Sequence, residues 1–243
     1  MASGSVFYQK RMELARTISD NINSFTTSML VVGSNAYNPD LVSEKSDLDF
    51  IAVVDFKRTD FDAIESKLGV ELNKNAVKQA KIGKIGMFDL QFELDGVEIG
   101  IYFRDILAFN QICNLNGVVK RFTTGKHIPA SCILGDLQGN EKEFYNFEEV
   151  EGGRIIDIYP AVFEKDNLYI GVQVQNLLLN PVILKGEEFV GESINNMKIK
   201  LREELIGRYG DLDRTKFNLI KTFPERIIIR LKPELRKQLE EFF

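Results

Sequence analysis

One histidine, His127, and two cysteines, Cys113 and Cys132, are all that 243 residues offer of the two commonest soft metal ligands. A lone imidazole excludes a zinc site built on several histidines, and a Ser-His-Asp triad would have to use that one ring. The cysteines lie far apart without paired spacing, so they read as small buried hydrophobes in a reducing compartment, not as a disulfide framework. His127, close to Lys126 and Pro129, reads as a surface-loop residue. No stretch reaches the roughly 18 uninterrupted apolar residues that a membrane span requires. The opening MASGSVFYQKR carries no apolar core of a signal peptide, and a cytoplasmic protein is the expectation. An excess of positive charge is also missing. The formal net charge of -5 argues against a general electrostatic grip on nucleic acid, while leaving a local basic patch open.

What is present is ordinary for a globular chain: 44% hydrophobic and 28% charged residues, enough for one large domain or two small ones. No internal repeat or low-complexity segment interrupts it. Residues 7–24 place Met12, Leu14, Ala15 and Ile18 near helical spacing. Ser28 to Gly33 is a short apolar run closed by glycine, as in a buried strand. Leu48 to Val54 is a second such run, continuous enough for a central position. Thr59 and Asp60 can cap a helix over about 60–69 that ends at Gly69. In residues 86–103, Phe88, Leu90, Phe92 and Leu94 alternate with polar residues. After Asp95-Gly96, Val97, Ile99, Ile101 and Phe103 do the same, which predicts a β-hairpin.

A helix is expected over about 105–115, opened by Asp105. A short apolar piece near 128–134 and an acidic helix over 136–148 follow. Glu151-Gly152-Gly153 is the best linker candidate, dividing the chain into residues 1–150 and 151–243. Beyond it, the runs Leu177–Leu179 and Val182–Leu184 cannot be assigned by period alone. Residues 187–209 and 233–243 are more plainly helical, with Lys198, Lys200 and Arg202 interleaved with acids as on a solvated face. Glu225 to Arg230 reads as a buried element with charged ends.

The informative segment is Val31-Val32-Gly33-Ser34, twelve residues, then Asp47-Leu48-Asp49-Phe50. Alternate side chains of a strand share a face, so Asp47 and Asp49 point the same way. Two crowded carboxylates repel, and a hard divalent cation such as Mg²⁺ removes the conflict while taking further ligands from water and phosphates. Gly33 lets backbone approach a triphosphate closely, and the Ser34 hydroxyl can donate to a phosphate oxygen. A helical turn after Ser34 would add backbone N–H groups to an anion site.

This order resembles the nucleotidyltransferase superfamily that includes DNA polymerase beta and the kanamycin-type antibiotic nucleotidyltransferases. The family pattern is an apolar residue, Gly-Gly or Gly-Ser, an intervening loop, then Asp-x-Asp or Asp-x-Glu. Many small bacterial members read Gly-Ser-Arg-Ala-x-Gly before the acids. Here Gly33, Ser34 and Ala36 match, while Asn35 and Asn38 stand in place of the Arg and the second Gly. Ser46 before Asp47 also agrees. The resemblance covers about residues 7–145. It implies an α+β fold, a mixed-sheet polymerase beta-like core, with a mostly helical C-terminal region completing a substrate cleft.

It further implies Mg²⁺ or Mn²⁺ as cofactor, an NTP as substrate, and transfer of an NMP to a hydroxyl acceptor, a small molecule first. Gly33, Ser34 and Ser46 are the implied nucleotide contacts. Asp47, Asp49 and a third acid on a later strand are the implied metal ligands and catalytic groups. Glu98 is the first choice for that acid, with room for a ligand left beside it by Gly100; Asp89 and Glu93 on the paired strand are rivals. Two other functions stay open: modification of protein or RNA, as in toxin–antitoxin relatives, and a nucleotide-binding module without turnover.

Overall fold

A computed structural model describes residues 6–124, 147–163, 168–210, 220–225 and 227–230. His127, Cys132, the 128–134 piece and the 233–243 helix lie outside the described residues. So does the 136–148 helix except for Phe147 and Glu148, which belong to a strand.

The apolar stripe of the N-terminal segment forms helix α1 (Val6–Ile22), which buries Met12, Ala15, Ile18 and Ile22. After a 3-10 turn at Asn23–Phe25 comes strand β1 (Ser28–Val32), buried at every residue. One helical turn, α2 (Ser34–Tyr37), and a 3-10 turn at Pro39–Leu41 lead to β2 (Leu48–Val54), buried at every residue but Asp49. Such runs suit strands covered on both faces.

Helix α3 (Phe61–Leu68) starts on an Asp60 side chain that accepts from the Ala63 amide and closes at Gly69. Helix α4 (Lys74–Lys81) was not anticipated. Its buried face is made of Ala76 and Ala80, too small to stand out as a hydrophobic stripe, although the Asn73 cap was a readable start signal. The expected hairpin forms from β3 (Met87–Leu94) and β4 (Val97–Asp105), with left-handed Asp95 and Gly96 at its turn. Helix α5 (Ile106–Cys113) follows directly, then β5 (Val119–Thr123).

Glu151 and Gly152 form the turn of a hairpin between β6 (Phe147–Val150) and β7 (Gly153–Ile158), so the linker reading of this glycine pair is corrected. Two-residue turns and linkers share the same glycine signature, and only strand pairing separates them. The remaining elements are β8 (Ala161–Phe163), β9 (Leu168–Gly171), α6 (Val172–Leu178), β10 (Val182–Lys185), α7 (Glu187–Tyr209), β11 (Ile220–Glu225) and β12 (Ile227–Arg230). The C-terminal region thus contains strands as well as the expected helices. Val182–Leu184 resolves as strand, and Leu177–Leu178 as the end of a helix.

The fold is α+β: the described residues form a large mixed sheet of eight strands ordered β10-β1-β2-β4-β3-β5-β7-β6 and a second sheet that runs β12-β11-β9-β8. In the large sheet β2 runs parallel to β4 and antiparallel to β1. One face carries Phe50, Ala52, Phe88 and Phe103 against α1, α3 and α4; the Phe88 and Phe103 rings stack at 5.1 Å. The other face carries Leu30, Val32, Ile51 and Val53 against α5, α6 and α7. Two covered faces make β1, β2 and β4 the rigid centre on which the acids are mounted. No described helix is long and apolar enough to cross a membrane.

Candidate active site

The acids stand where β2 and β4 begin. These strands are parallel, with Leu48 opposite Ile99 and Asp49 opposite Gly100. One step back along the same register sets Asp47 level with Glu98. Because side chains alternate, Asp47, Asp49, Glu98, Gly100 and Tyr102 all belong to one face. Asp47 and Glu98 are exposed and Asp49 is half-buried.

Electrostatics report the same proximity. Burial, aided by the negative charges of Asp47 and Glu98, pushes the Asp49 carboxyl up from 3.8 to about 6; a hydrogen bond from Tyr102 partly opposes the rise. Neither Asp89 nor Glu93 contributes. Asp89 is ion-paired with Arg121 across β3 and β5, which already balances its charge. Glu93 is exposed and faces Glu98 across the hairpin. Among the three candidates for the third acid, Glu98 alone acts on Asp49.

Two glycines shape the space around Asp49. A Cβ on Gly100 would lie 2.5 Å from Asp49 Oδ1, and one on Gly33 would lie 3.2 Å from Oδ2. The room left by Gly100 is therefore filled by the Asp49 carboxylate, not held open for a ligand as its position beside Glu98 suggested. Gly33 has φ of 71°, a left-handed conformation suited to glycine, and its carbonyl accepts from the Ala36 and Tyr37 amides as α2 begins. Ser34 is the first residue of that turn and partly exposed.

The loop before Asp47 is held from two sides. Arg11, buried on α1, donates through Nε to the Ser46 carbonyl at 3.0 Å and through Nη2 to the Glu44 carbonyl at 2.8 Å. Asn35, buried on α2, donates through Nδ2 to the Asp47 carbonyl at 2.6 Å, while its Oδ1 has no partner among the described residues. Ser46 Oγ accepts from the Ser43 amide at 2.9 Å, closing a turn that shapes the loop before Asp47.

Sequence reasoning passed over Arg11, Asn35 and Tyr102. The alternation of β4 had already placed Tyr102 on the face of Glu98, so its signal was available. Arg11 sits among ordinary charged residues of an amphipathic helix and gave none. Further along the same face, Arg104 is fully buried, donating through Nη2 to Gln173 on α6 while Nε and Nη1 lack partners among the described residues. Burial brings its guanidinium down to about 10, so it remains cationic near neutrality. Burial pushes the Cys113 thiol up to about 12, which disqualifies it as a nucleophile.

The donor set suits a hard cation: carboxylate oxygens, one with proton affinity raised by burial and, to a lesser degree, by neighbours of the same charge. Among the described residues, however, no three Asp, Glu, His or Cys side chains stand close enough together to enclose a metal ion. Asp47 and Glu98 are exposed, so side-chain rotation alone can alter their approach to the fixed Asp49. A separate groove of about 620 Å³ lies between the end of α5 and α7, lined by Asn114, Phe163, Lys200, Glu203, Glu204 and Arg208 among others, and includes none of Asp47, Asp49 and Glu98. No family model, curated protein or solved structure matches the chain.

Proposed function

We propose that this chain is a metal-dependent nucleotidyltransferase with a polymerase beta-like core, transferring an NMP from an NTP to a hydroxyl acceptor. The observation that carries the proposal is the raised proton affinity of Asp49, produced by burial together with Asp47 and Glu98, directly beside the Gly33-Ser34 turn. A carboxylate whose proton affinity is raised by burial and by like charges is a candidate seat for positive charge. Register supports the same assignment, since β2 and β4 bring the three acids to one edge of one face.

Asp47, Asp49 and Glu98 would hold Mg²⁺ or Mn²⁺. Bound there, the cation supplies charge that offsets the triphosphate and eases ionisation of an attacking hydroxyl. The α2 turn offers its first N–H groups and the Ser34 hydroxyl to phosphate oxygens. Glu98, exposed at the rim, would take the proton of the acceptor hydroxyl. The hydroxyl oxygen then bonds to the α-phosphorus, the bond to the bridging oxygen breaks, and pyrophosphate leaves. The net charge of -5 favours a small-molecule acceptor over RNA.

A second reading has an observation of its own. The acids do not close into a three-ligand cluster among the described residues, as a nucleotide-binding module without turnover would have it. One experiment separates the two. The protein is incubated with each α-labelled NTP, Mg²⁺ or Mn²⁺ and a panel of hydroxylated small molecules, and pyrophosphate is measured. Transfer predicts release that falls at least about a hundredfold in Asp49→Asn, the size usual when a group stabilising developing charge is lost. Nucleotide binding without release selects the module. Equal release by both proteins removes Asp49 from the chemistry.

A further inference from the structure

We propose that the end of the large sheet opposite the acids is an interface, at which a second copy of this chain docks about a two-fold axis. The inference is independent of the chemistry proposed above. Three strand ends meet there. The Gly86 amide donates to the Lys120 carbonyl at 2.8 Å, and the Asp105 amide to the Gly86 carbonyl at 2.9 Å. The start of β3 therefore lies between the end of β4 and the start of β5. A Cβ on Gly86 would lie 2.6 Å from Ala108 Cβ and 3.4 Å from Val119 Cγ1, so the first turn of α5 packs at the same point. The chain neighbours of those two buried residues face solvent: Leu107 is 74% exposed and Val118 36%. Asp105 Oδ2 accepts from the Phe56 amide, which brings Lys57 alongside. Lys57 Cε lies 3.7 Å from where a Cβ on Gly83 would stand, and the adjacent Ile82, which ends α4, is 65% exposed. Aliphatic residues exposed singly are ordinary; three gathered at one end of a sheet mark an interaction surface.

Charge decides what covers it. Most cations near this end are already matched within the chain: Arg58 with Asp55, Lys84 with Glu148 and Lys120 with Asp157. Lys81 donates to the Thr59 carbonyl and stands over the Phe61 ring. An anionic bilayer or a nucleic acid needs a field of uncommitted cations, which this end does not offer. Two exposed charges of opposite sign make no ion pair among the described residues: Lys57, and Asp62 in the first turn of α3. Asp62 belongs to the same end, because its neighbour Phe61 packs edge-on against Phe56 and Phe103. An isologous contact sets residue i of one copy on residue j of the other, and j on i. Lys57 of each copy then meets Asp62 of the other, around a centre of Ile82, Leu107 and Val118. An apolar centre within a polar rim is the anatomy of a specific interface.

Sedimentation equilibrium of the full chain tests the interface through the dimer dissociation constant. Wild type is compared with Leu107→Asp, Ile82→Asp, Lys57→Glu and the double reversal Lys57→Glu with Asp62→Lys. Circular dichroism checks that each is folded, as exposed positions allow. Wild type is expected to be a dimer, and each aspartate variant to dissociate at least about thirtyfold more readily, the scale of an interface hot spot. Lys57→Glu should weaken the dimer and the added Asp62→Lys restore it, a rescue that damage to the fold cannot produce. Val6→Asp, on the exposed start of α1, should leave the constant unchanged. A wild type that is monomeric throughout, whether or not it sediments with phosphatidylglycerol vesicles, overturns the interface. So does a dimer that both aspartate variants leave intact, and a double reversal that restores nothing overturns the two-fold pairing.

Discussion

Asp49 is held at a cost in stability, and that cost has a measurable pH signature. The unfolded carboxyl ionises near 3.8 and the folded one near 6. Between those values the unfolded state gives up its proton first, so the contribution of Asp49 to stability falls as pH rises from about 4 to about 6 and stays low above that. Asn keeps the shape and an oxygen for Tyr102 but carries no charge. Asp49→Asn is therefore expected to stabilise the protein at pH 8 by about 1 to 2 kcal/mol, with the gain vanishing near pH 4. Denaturant titrations at the two pH values measure it, and a variant less stable than wild type at pH 8 would contradict the account. A residue whose removal strengthens the fold while abolishing activity is the mark of a group kept for function.

At the scale of elements, the site depends on junctions more than on the strands themselves. Asp105 ends β4 and opens α5, its Oδ1 accepting from the Leu107 amide at 2.9 Å. Its Oδ2 accepts from the Phe56 amide at 3.0 Å, tying the chain after β2 to the chain after β4. The parallel pair that carries the acids is thereby locked at the end opposite to them. Asp105→Ala removes a cap and a long-range bond together, for an expected loss of about 2 kcal/mol by thermal or denaturant unfolding. Asp105→Asn, which keeps one acceptor oxygen, should recover part of it; equal losses would mean that only charge matters there. The sequence announced Asp105 as a helix-start acid. Its second partner is 49 residues away and left no local trace.

The same division between local and distant signals runs through the whole molecule. Strands β1 to β4, α1, α3 and the α5 and α7 helices were legible because each is written in a few neighbouring residues: an apolar period, a cap, an Asp-Gly turn. The Gly-Ser turn and the acid pair were legible for that reason too. What was hidden arises from pairing. The β6–β7 hairpin looked like a linker, and β10 became a strand by joining the edge of β1 through residues more than 150 positions away. Likewise, Gly100 looked like space until Asp49 was set opposite it.

Everything functional proposed here depends on one assembled feature, that Asp47, Asp49 and Glu98 act as a single cation site while Asp89 and Glu93 do not. The direct test is Mn²⁺ titration of the full chain followed by electron paramagnetic resonance of the free ion. Wild type, Asp49→Asn, Glu98→Gln, Asp89→Asn and Glu93→Gln are compared at pH 7.5, a condition chosen to lie above the Asp49 titration. Binding is expected to be lost in Asp49→Asn, weakened about tenfold or more in Glu98→Gln, and retained in Glu93→Gln and in Asp89→Asn. Undiminished binding by Asp49→Asn, or loss through Glu93 or Asp89 in place of Glu98, would contradict it.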